Sequence, residues 1–163
     1  MRGRAARGSA RPRWAVVPAI AALVVLGSAA ASGATAGKAP AHVRPTVSVA
    51  KTYVGPLLVD KTGYTIYMFA RDKPNKDVCR TIKGCEKDWP AVTTAGKPVV
   101  GPGVKRSLLG TIPYQGKLRE LTYKGHPLHT YRFDTGPRSV INIGNRQFHG
   151  AWYALNANGG LVK

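Results

Sequence analysis

Apolar and polar residues alternate over the middle and the end of the chain, which predicts β-strands separated by glycine turns. Residues 57–69, LLVDKTGYTIYMF, form two alternating runs around a tight turn at residues 61–63. Residues 118–133, LRELTYKGHPLHTYRF, repeat this pattern around a turn at residues 124–125. β-Branched and aromatic residues at alternate positions, bounded by glycine, are typical of hairpins. The pattern therefore predicts antiparallel β structure.

Further strand signals and two short helical stretches complete the pattern. AWYAL at residues 151–155 predicts another strand, and PAVTT at residues 90–94 predicts a weaker one. Helix is confined to a turn or two near residues 82–89 and residues 104–109. The 19 glycines and 12 prolines suit a chain with many turns. The predicted fold class is all-β with little helix.

The two hairpins look alike at several corresponding positions, which indicates an internal duplication. GYTIYMFARD, residues 63–72, aligns with GHPLHTYRFD, residues 125–134, at a constant offset of 62 positions. One hairpin pair buries too little surface to be stable alone. We therefore predict two related antiparallel β units, about 53–101 and 116–163, that pack as one small domain. The segment VKRSLLGTIP connects them.

The first 36 residues have the pattern of a secretory signal peptide. Residues 1–14 contain five arginines and no acid, residues 15–27 are apolar, and small residues follow. Cleavage after Ala36 fits best, and cleavage after Ala31 is the second choice. An uncleaved membrane anchor is the alternative, although the apolar stretch is shorter than the ~20 residues that a spanning helix needs. The protein is therefore predicted to be secreted or held at the cell envelope.

A linker is predicted to follow the signal peptide. Residues 37–51, GKAPAHVRPTVSVAK, contain proline and alanine and show no clear period. The folded domain is then predicted to comprise residues 52–163.

Cys79 and Cys85 are the two cysteines of the chain, with five residues between them. Export places them in an oxidising compartment, where disulfides form and persist. Structural zinc needs further ligands at tighter spacing, and a redox pair usually has the spacing C-x-x-C. An intrachain disulfide is the favoured interpretation.

Basic residues greatly outnumber acidic ones. The chain has 25 lysines and arginines against 7 acids, a net charge of +18, and removing the five arginines before Ala36 leaves +13. Such a field attracts anions, so an anionic envelope component, a wall polymer or a phospholipid headgroup, is the predicted partner. A basic surface that serves only solubility is the alternative. No nucleic-acid motif accompanies the charge, and no segment of the mature chain is predicted to cross a membrane.

Several motifs, in order along the chain, resemble a bacterial family of secreted repeats of unknown function, many of them predicted lipoproteins. YMFARD at residues 67–72 matches the family pattern Tyr-x-[Phe/Trp/Tyr]-x-x-Asp. The later segments CEKDWPAV, GVKRSLLGTI, LTYKGHPLHTY and GAWYALNANG resemble the family as well. The chain departs from the pattern at His129 and His149, and it has no lipobox cysteine. The resemblance implies export and this architecture, and it implies no catalytic residue.

The duplicated motif supplies six candidate residues. They are Tyr67, Phe69 and Asp72 in the first unit, and His129, Tyr131 and Asp134 in the second. Each aspartate comes just past a predicted strand, where its carboxylate can accept backbone N–H groups and close a turn. The alternative is that the two acids meet across a pseudo-twofold axis as cation ligands or as an acid–base couple. The structural role is favoured, because every copy of the unit needs its turn closed.

The histidines of the second unit suggest a metal site. His129, His149 and Asp134 form the candidate set, since imidazole is the commonest metal-ligating side chain. His126 and His129 are three positions apart on a predicted strand, so they tend to face opposite sides. Ordinary surface or hydrogen-bonded histidines are the simpler interpretation, and no cofactor is predicted.

The sequence contains no catalytic motif that we recognise, so the protein is predicted not to be an enzyme. The predicted function is that of an exported binding or structural module of the cell envelope or extracellular space. A metal-binding or redox accessory protein of the envelope is the alternative.

Overall fold

The computed structural model describes residue 44 and residues 46–163, so the predicted signal peptide and most of the predicted linker lie outside the described residues. This part of the chain contains ten β-strands, one short α-helix and two 3-10 helices. The strands are β1 Val47–Thr52, β2 Gly55–Asp60, β3 Tyr67–Phe69, β4 Thr93–Thr94, β5 Leu109–Pro113, β6 Arg119–Tyr123, β7 His126–Pro127, β8 Arg146–Gln147, β9 Gly150–Leu155 and β10 Leu161–Val162. The helix α1 is Cys85–Asp88, and the 3-10 helices are Cys79–Thr81 and Arg106–Leu108. The all-β prediction is confirmed.

The strands form three antiparallel sheets. β1 and β2 make a two-stranded hairpin. A second sheet has the order β10-β9-β3, with β8 paired to β9. A third has the order β4-β6-β5, with β7 paired to β6. β9 and β6 are therefore the central strands, and each carries buried side chains along most of its length.

Two buried clusters fill the interior, and the side-chain alternation of the strands divides residues between them. Ile66 and Met68 pack into the first cluster, with Leu121 and Leu128 among its members. Tyr67 and Phe69 pack into the second. Successive residues of a strand point to opposite sides. Ile66 and Met68 therefore face away from Tyr67 and Phe69, as the alternation of residues 57–69 requires.

Two strands occupy segments that the sequence had assigned to connections. β1 lies at the end of the predicted linker, where Val47 and Val49 alternate with polar residues and pair with β2. β5 lies in the segment predicted to bridge the two units, and it pairs with β6 along its whole length. Gly110 and Pro113 weaken the strand signal in the sequence of β5, because both residue types are disfavoured within strands. The folded domain thus begins before residue 52.

The predicted helical turns are present but shorter than their patterns suggested. α1 covers four residues of the predicted stretch 82–89, and the 3-10 helix Arg106–Leu108 lies within the stretch 104–109. Gly84 precedes α1 with φ of +82°, a conformation that suits a residue without a Cβ. α1 therefore begins directly after this left-handed turn.

A disulfide joins Cys79 and Cys85, which confirms the predicted pairing. It links the first 3-10 helix to the start of α1, six positions later. Both cysteines are fully buried in the second cluster, beside Trp89 and Trp152. The bond therefore holds a short irregular segment against the aromatic core.

Reduction of this disulfide is expected to lower the free energy of unfolding by about 2 kcal/mol, because the cross-link restricts the unfolded chain over a short loop. Urea titrations of the oxidised protein and of the same protein in dithiothreitol measure the difference. The double variant Cys79→Ala/Cys85→Ala is the control, since dithiothreitol should not shift its midpoint. Identical urea midpoints for the oxidised and reduced protein would contradict the stabilising role.

Candidate functional site

The two copies of the duplicated motif meet in the interior at a pair of matched positions. Tyr67 and His129 lie opposite each other in an antiparallel bridge. The Tyr67 N–H donates to the His129 carbonyl at 2.8 Å, and the His129 N–H donates to the Tyr67 carbonyl at 2.9 Å. Residues 62 positions apart in the sequence therefore exchange both backbone hydrogen bonds, as expected at a pseudo-twofold axis.

Their side chains then contact the aspartates of the opposite copies. The Tyr67 hydroxyl donates to Asp134 Oδ2 at 3.1 Å. The His129 Nε2 lies 3.1 Å from Asp72 Oδ2. The tyrosine of the first motif thus reaches the acid of the second, and the histidine of the second reaches the acid of the first. Neither aspartate contacts the ring of its own motif in this way.

The matched aromatic residues form one continuous stack across the same axis. Ring centroids are 4.3 Å apart for Phe69 and Trp152, 3.9 Å for Trp152 and Trp89, and 4.1 Å for Trp89 and Tyr131. Tyr67 meets Trp89 edge to face at 5.3 Å, and His129 meets Trp152 in the same way at 5.2 Å. The four-membered stack is therefore a packing core shared by both copies.

The two aspartates have different surroundings in spite of their matched positions. Asp134 accepts from the Tyr67 hydroxyl and from Asn142 Nδ2 at 2.6 Å, both uncharged donors. Burial raises the pKa of Asp134, while the bonds from Asn142 and Tyr67 oppose that rise. Asp72 instead accepts from the Val78 N–H at 2.7 Å and faces the imidazole of His129. The sequence predicted that both aspartates close a local turn through the backbone. Asp72 does so, whereas the donors to Asp134 are the side chains of Tyr67 and Asn142.

Two more acids lie beside Asp72, and the sequence did not mark either of them. Asp77 precedes the first 3-10 helix and accepts from the Arg80 N–H at 3.2 Å. Glu120 lies in the central strand β6 with no exposed surface. Asp77 Oδ2 and both carboxylate oxygens of Glu120 are buried without a hydrogen-bond partner. These atoms are unusual, because most buried polar atoms in proteins have a partner.

Burial dominates the electrostatics of this acid cluster. Burial first, and then the nearby carboxylates of Asp77 and Asp72, raise the pKa of Glu120 to about 9 against the opposing charge of Arg80. Burial also raises the pKa of Asp77, although His129 opposes the rise. A folded state that holds these groups close together resists their simultaneous ionisation.

Arg80 and Tyr114 connect the β5–β6 turn to the disulfide segment next to this acid cluster. Arg80 Nη1 donates to the Pro113 carbonyl at 3.2 Å, and its guanidinium lies 4.7 Å from the centre of the Tyr114 ring. The Tyr114 hydroxyl donates to Glu86 in α1. Burial and the Glu86 carboxylate raise the pKa of Tyr114 to about 12, so this hydroxyl keeps its proton at neutral pH.

The segment that contains the first motif copy also matches a described protein family. Residues 48–93 match the Lipoprotein_15 family, a secreted repeat of unknown function. The Lipoprotein_15 match spans most of β1 and extends to the start of β4, so it includes Tyr67, Phe69, Asp72 and both cysteines. It agrees with the resemblance drawn from the sequence and supports an extracellular module. No curated protein and no solved structure matches the chain.

The Lipoprotein_15 segment supplies two of the three residues that the structure groups as possible metal ligands. Within residues 44 and 46–163, one ligand atom each from Asp72, Asp77 and His129 lies within 4.8 Å of the others. The set predicted from the sequence is not brought together: Asp134 contacts Tyr67 and Asn142 instead, and His149 is exposed in the β8–β9 turn. Of the three predicted ligands, only His129 belongs to the cluster.

The Lipoprotein_15 description places its members outside the cytoplasm, and one structural finding bears on membrane attachment. None of the helices in the described part of the chain is both long and apolar enough to span a membrane.

Proposed function

We propose that this protein is a non-catalytic extracytoplasmic module that binds phosphate-bearing anionic components of the cell envelope. The observation that carries the proposal is the separation of charge between the surface and the interior. Every lysine and arginine among the described residues is exposed. None of the seven acidic residues is exposed: four are half-buried, and Asp77, Glu120 and Asp134 are buried.

This separation makes the surface more basic than the composition alone suggests. Four of the seven carboxylates cannot neutralise surface cations well, because the side chain of Asp72 is fully buried and Asp77, Glu120 and Asp134 are buried as well. Within the described residues, one lysine or arginine, Arg132, lies within salt-bridge distance of a carboxylate, 3.5 Å from Asp88. The remaining cations are available to an external anion, and a field of one sign attracts polyanions over several ångströms.

Phosphodiester groups are the anions that best suit this surface outside the cell. Guanidinium groups bind phosphate oxygens through paired hydrogen bonds, and ammonium groups bind them as point charges. Wall polymers and phospholipid headgroups both present such phosphates. The two cysteines are joined in a buried disulfide and supply no free thiol, and this supports a binding role in preference to a catalytic or redox one.

Binding is expected to be measurable at low salt and to weaken steeply as salt is raised, because screening shortens the reach of surface charges. We would measure co-sedimentation of the mature protein with vesicles containing phosphatidylglycerol and, in parallel, its binding to a soluble polyphosphate. Vesicles of phosphatidylcholine alone are the uncharged control. Lack of binding to both anionic probes at low salt, or binding that salt does not change, would reject the proposal.

Charge-reversal variants locate the contact. Lys105→Glu/Arg106→Glu changes the exposed basic pair at the second 3-10 helix, and Lys73→Glu/Lys76→Glu changes an exposed pair after β3. If the contact is a localised site, we expect one double variant to weaken binding by tenfold or more and the other to weaken it far less. Equal, small losses from both variants would indicate a diffuse field.

A further inference from the structure

The buried cluster of acids concentrates negative charge inside a strongly basic protein. Asp72, Asp77 and Glu120 are three of the seven acids of the chain; Asp72 and Asp77 converge with His129, and Glu120 is buried beside Asp77. Their positions come from separate parts of the fold: the turn after β3, the segment before the first 3-10 helix, the central strand β6 and the segment after β7. Such convergence costs desolvation and repulsion unless a positive charge compensates it.

The unpartnered oxygens point to what the cluster would hold. Glu120 has no exposed surface, and neither of its carboxylate oxygens has a hydrogen-bond donor from the protein. The Glu120 carboxyl group is close enough to Asp77 for a hydrogen bond between the two once one of them is protonated. Asp77 Oδ2 has no donor from the protein either. A proton shared between the two carboxyl groups, or a cation bound at Asp77, would satisfy these oxygens.

The orientation of His129 is that of a metal ligand. Its Nδ1 lies 3.2 Å from the Trp89 carbonyl. A carbonyl oxygen only accepts, so Nδ1 carries the proton and donates. In the neutral ring Nε2 then presents a lone pair, and it faces a carboxylate oxygen of Asp72 at 3.1 Å. Two acceptors at this distance repel each other unless a proton or a metal ion lies between them. Metal-bound histidines usually donate the other ring N–H to a carbonyl or carboxylate in this way.

Backbone groups orient the two aspartates in a similar manner. Asp72 Oδ1 accepts the Val78 N–H, and Asp77 Oδ1 accepts the Arg80 N–H. The Oδ2 of Asp72 is left facing His129, and the Oδ2 of Asp77 is left unpartnered. Each of the three side chains therefore has one polar atom held by the main chain, which leaves the other for a ligand. Such outer-shell bonds fix ligand geometry before the metal arrives.

The spacing of the ligand atoms also suits a small divalent cation. Two ligands about 2.1 Å from the same metal, at tetrahedral or octahedral angles, lie roughly 3.0–3.4 Å apart. His129 Nε2 and Asp72 Oδ2 already lie 3.1 Å apart, and Asp77 brings an atom within 4.8 Å of both. A small inward movement of Asp77 would complete this geometry.

We propose that Asp72, Asp77 and His129 form a buried binding site for one divalent transition-metal ion, Zn²⁺ or Mn²⁺. One imidazole with two carboxylates is a donor set that suits these ions, and the imidazole disfavours Ca²⁺ and Mg²⁺. The ion would join the segment before the first 3-10 helix to the segment after β7. This site is independent of the basic surface and of its anionic partner.

The mature protein, dialysed against EDTA and then against buffer, would be titrated with ZnCl₂ and with MnCl₂ in a calorimeter. We expect one ion per chain for at least one of the metals. We also expect a rise in Tm of about 10 °C at hundredfold excess over the Kd. Native mass spectrometry of the same samples reports the stoichiometry. Failure of both metals to bind at millimolar concentration would overturn the proposal.

Variants separate this site from binding at surface histidines. Asp72→Asn and Asp77→Asn keep the side-chain shape and are expected to weaken metal binding at least tenfold. Asp134→Asn, at the position that matches Asp72, is expected to leave it unchanged, as is His149→Gln. Circular dichroism verifies that each variant folds. Binding that persists in Asp72→Asn and Asp77→Asn but disappears in His149→Gln would show an adventitious surface site and reject the buried one.

Discussion

Substituting Glu120 with glutamine is expected to remove much of the pH dependence of the stability of the metal-free protein. Burial raises the pKa of Glu120 from its ordinary value of 4.5 to about 9, with Asp77 and Asp72 adding to the rise and Arg80 opposing it. At a pH between these two pKa values, Glu120 has lost its carboxyl proton in the unfolded chain but retains it in the folded chain. The folded state therefore binds more protons, and the free energy of unfolding falls as pH rises.

The expected size of this effect is large. One such group lowers the free energy of unfolding by about 1.4 kcal/mol per pH unit within its window, or roughly 3 kcal/mol between pH 5.5 and 7.5. The raised pKa of Asp77 acts in the same direction. Glutamine cannot ionise, and it has two N–H donors for the neighbouring carboxylates, so Glu120→Gln is expected to be the more stable protein above neutral pH.

Urea titrations at a series of pH values, all in EDTA, measure this slope for the wild type and for Glu120→Gln. Glu86→Gln is the matched control, because it removes the same charge from α1 and keeps an oxygen for the Tyr114 hydroxyl. Its stability is expected to follow the wild-type slope. Parallel slopes for wild type and Glu120→Gln would show that the buried carboxylate does not control the pH dependence.

The sequence predicted several of the strands, because strand alternation is a local property, but it assigned β1 and β5 to connecting segments. The alternation of Ile66 and Met68 with Tyr67 and Phe69 fixes which residues share a side, and the structure assigns them to separate clusters accordingly. The constant offset of 62 residues also marked Tyr67 and His129 as equivalent. It did not indicate that these two residues pair with each other, because that contact depends on how the two copies dock.

The same docking explains why the candidate site was predicted incompletely. Grouping residues by their position within one copy associated His129 with Asp134, whereas the fold places its ring beside Asp72 of the other copy. Asp77 lies in an irregular loop and Glu120 in an alternating strand, and in both settings an acid usually faces solvent. Their burial accompanies the approach of Glu120 in β6 to Asp77, a long-range contact that no local pattern contains.

Removing either tryptophan of the central stack is expected to have the largest effect on stability of any single substitution considered. Trp89 and Trp152 have no exposed surface, their ring centroids are 3.9 Å apart, and their ring planes are nearly parallel. Trp→Ala substitutions in cores cost about 3–5 kcal/mol. A loss of that size is a large part of the 5–15 kcal/mol that typically stabilises a domain. Trp89→Ala and Trp152→Ala are therefore expected to be mostly unfolded well below the wild-type melting temperature, as circular dichroism during heating would measure.

Phenylalanine at the same two positions distinguishes packing from hydrogen bonding, because the two tryptophans have matched rings but different partners for the indole N–H. Trp89 Nε1 donates to Gln147 Oε1 at 2.7 Å, whereas Trp152 Nε1 is buried with no partner. Trp89→Phe loses that bond and leaves the Gln147 oxygen without its donor. Trp152→Phe also loses ring area, but it removes a buried N–H group that had no hydrogen-bond partner. Trp89→Phe is therefore expected to cost about 1–2 kcal/mol more than Trp152→Phe in urea denaturation. Equal costs, or a larger cost at Trp152, would mean that ring packing alone determines the stability of the stack.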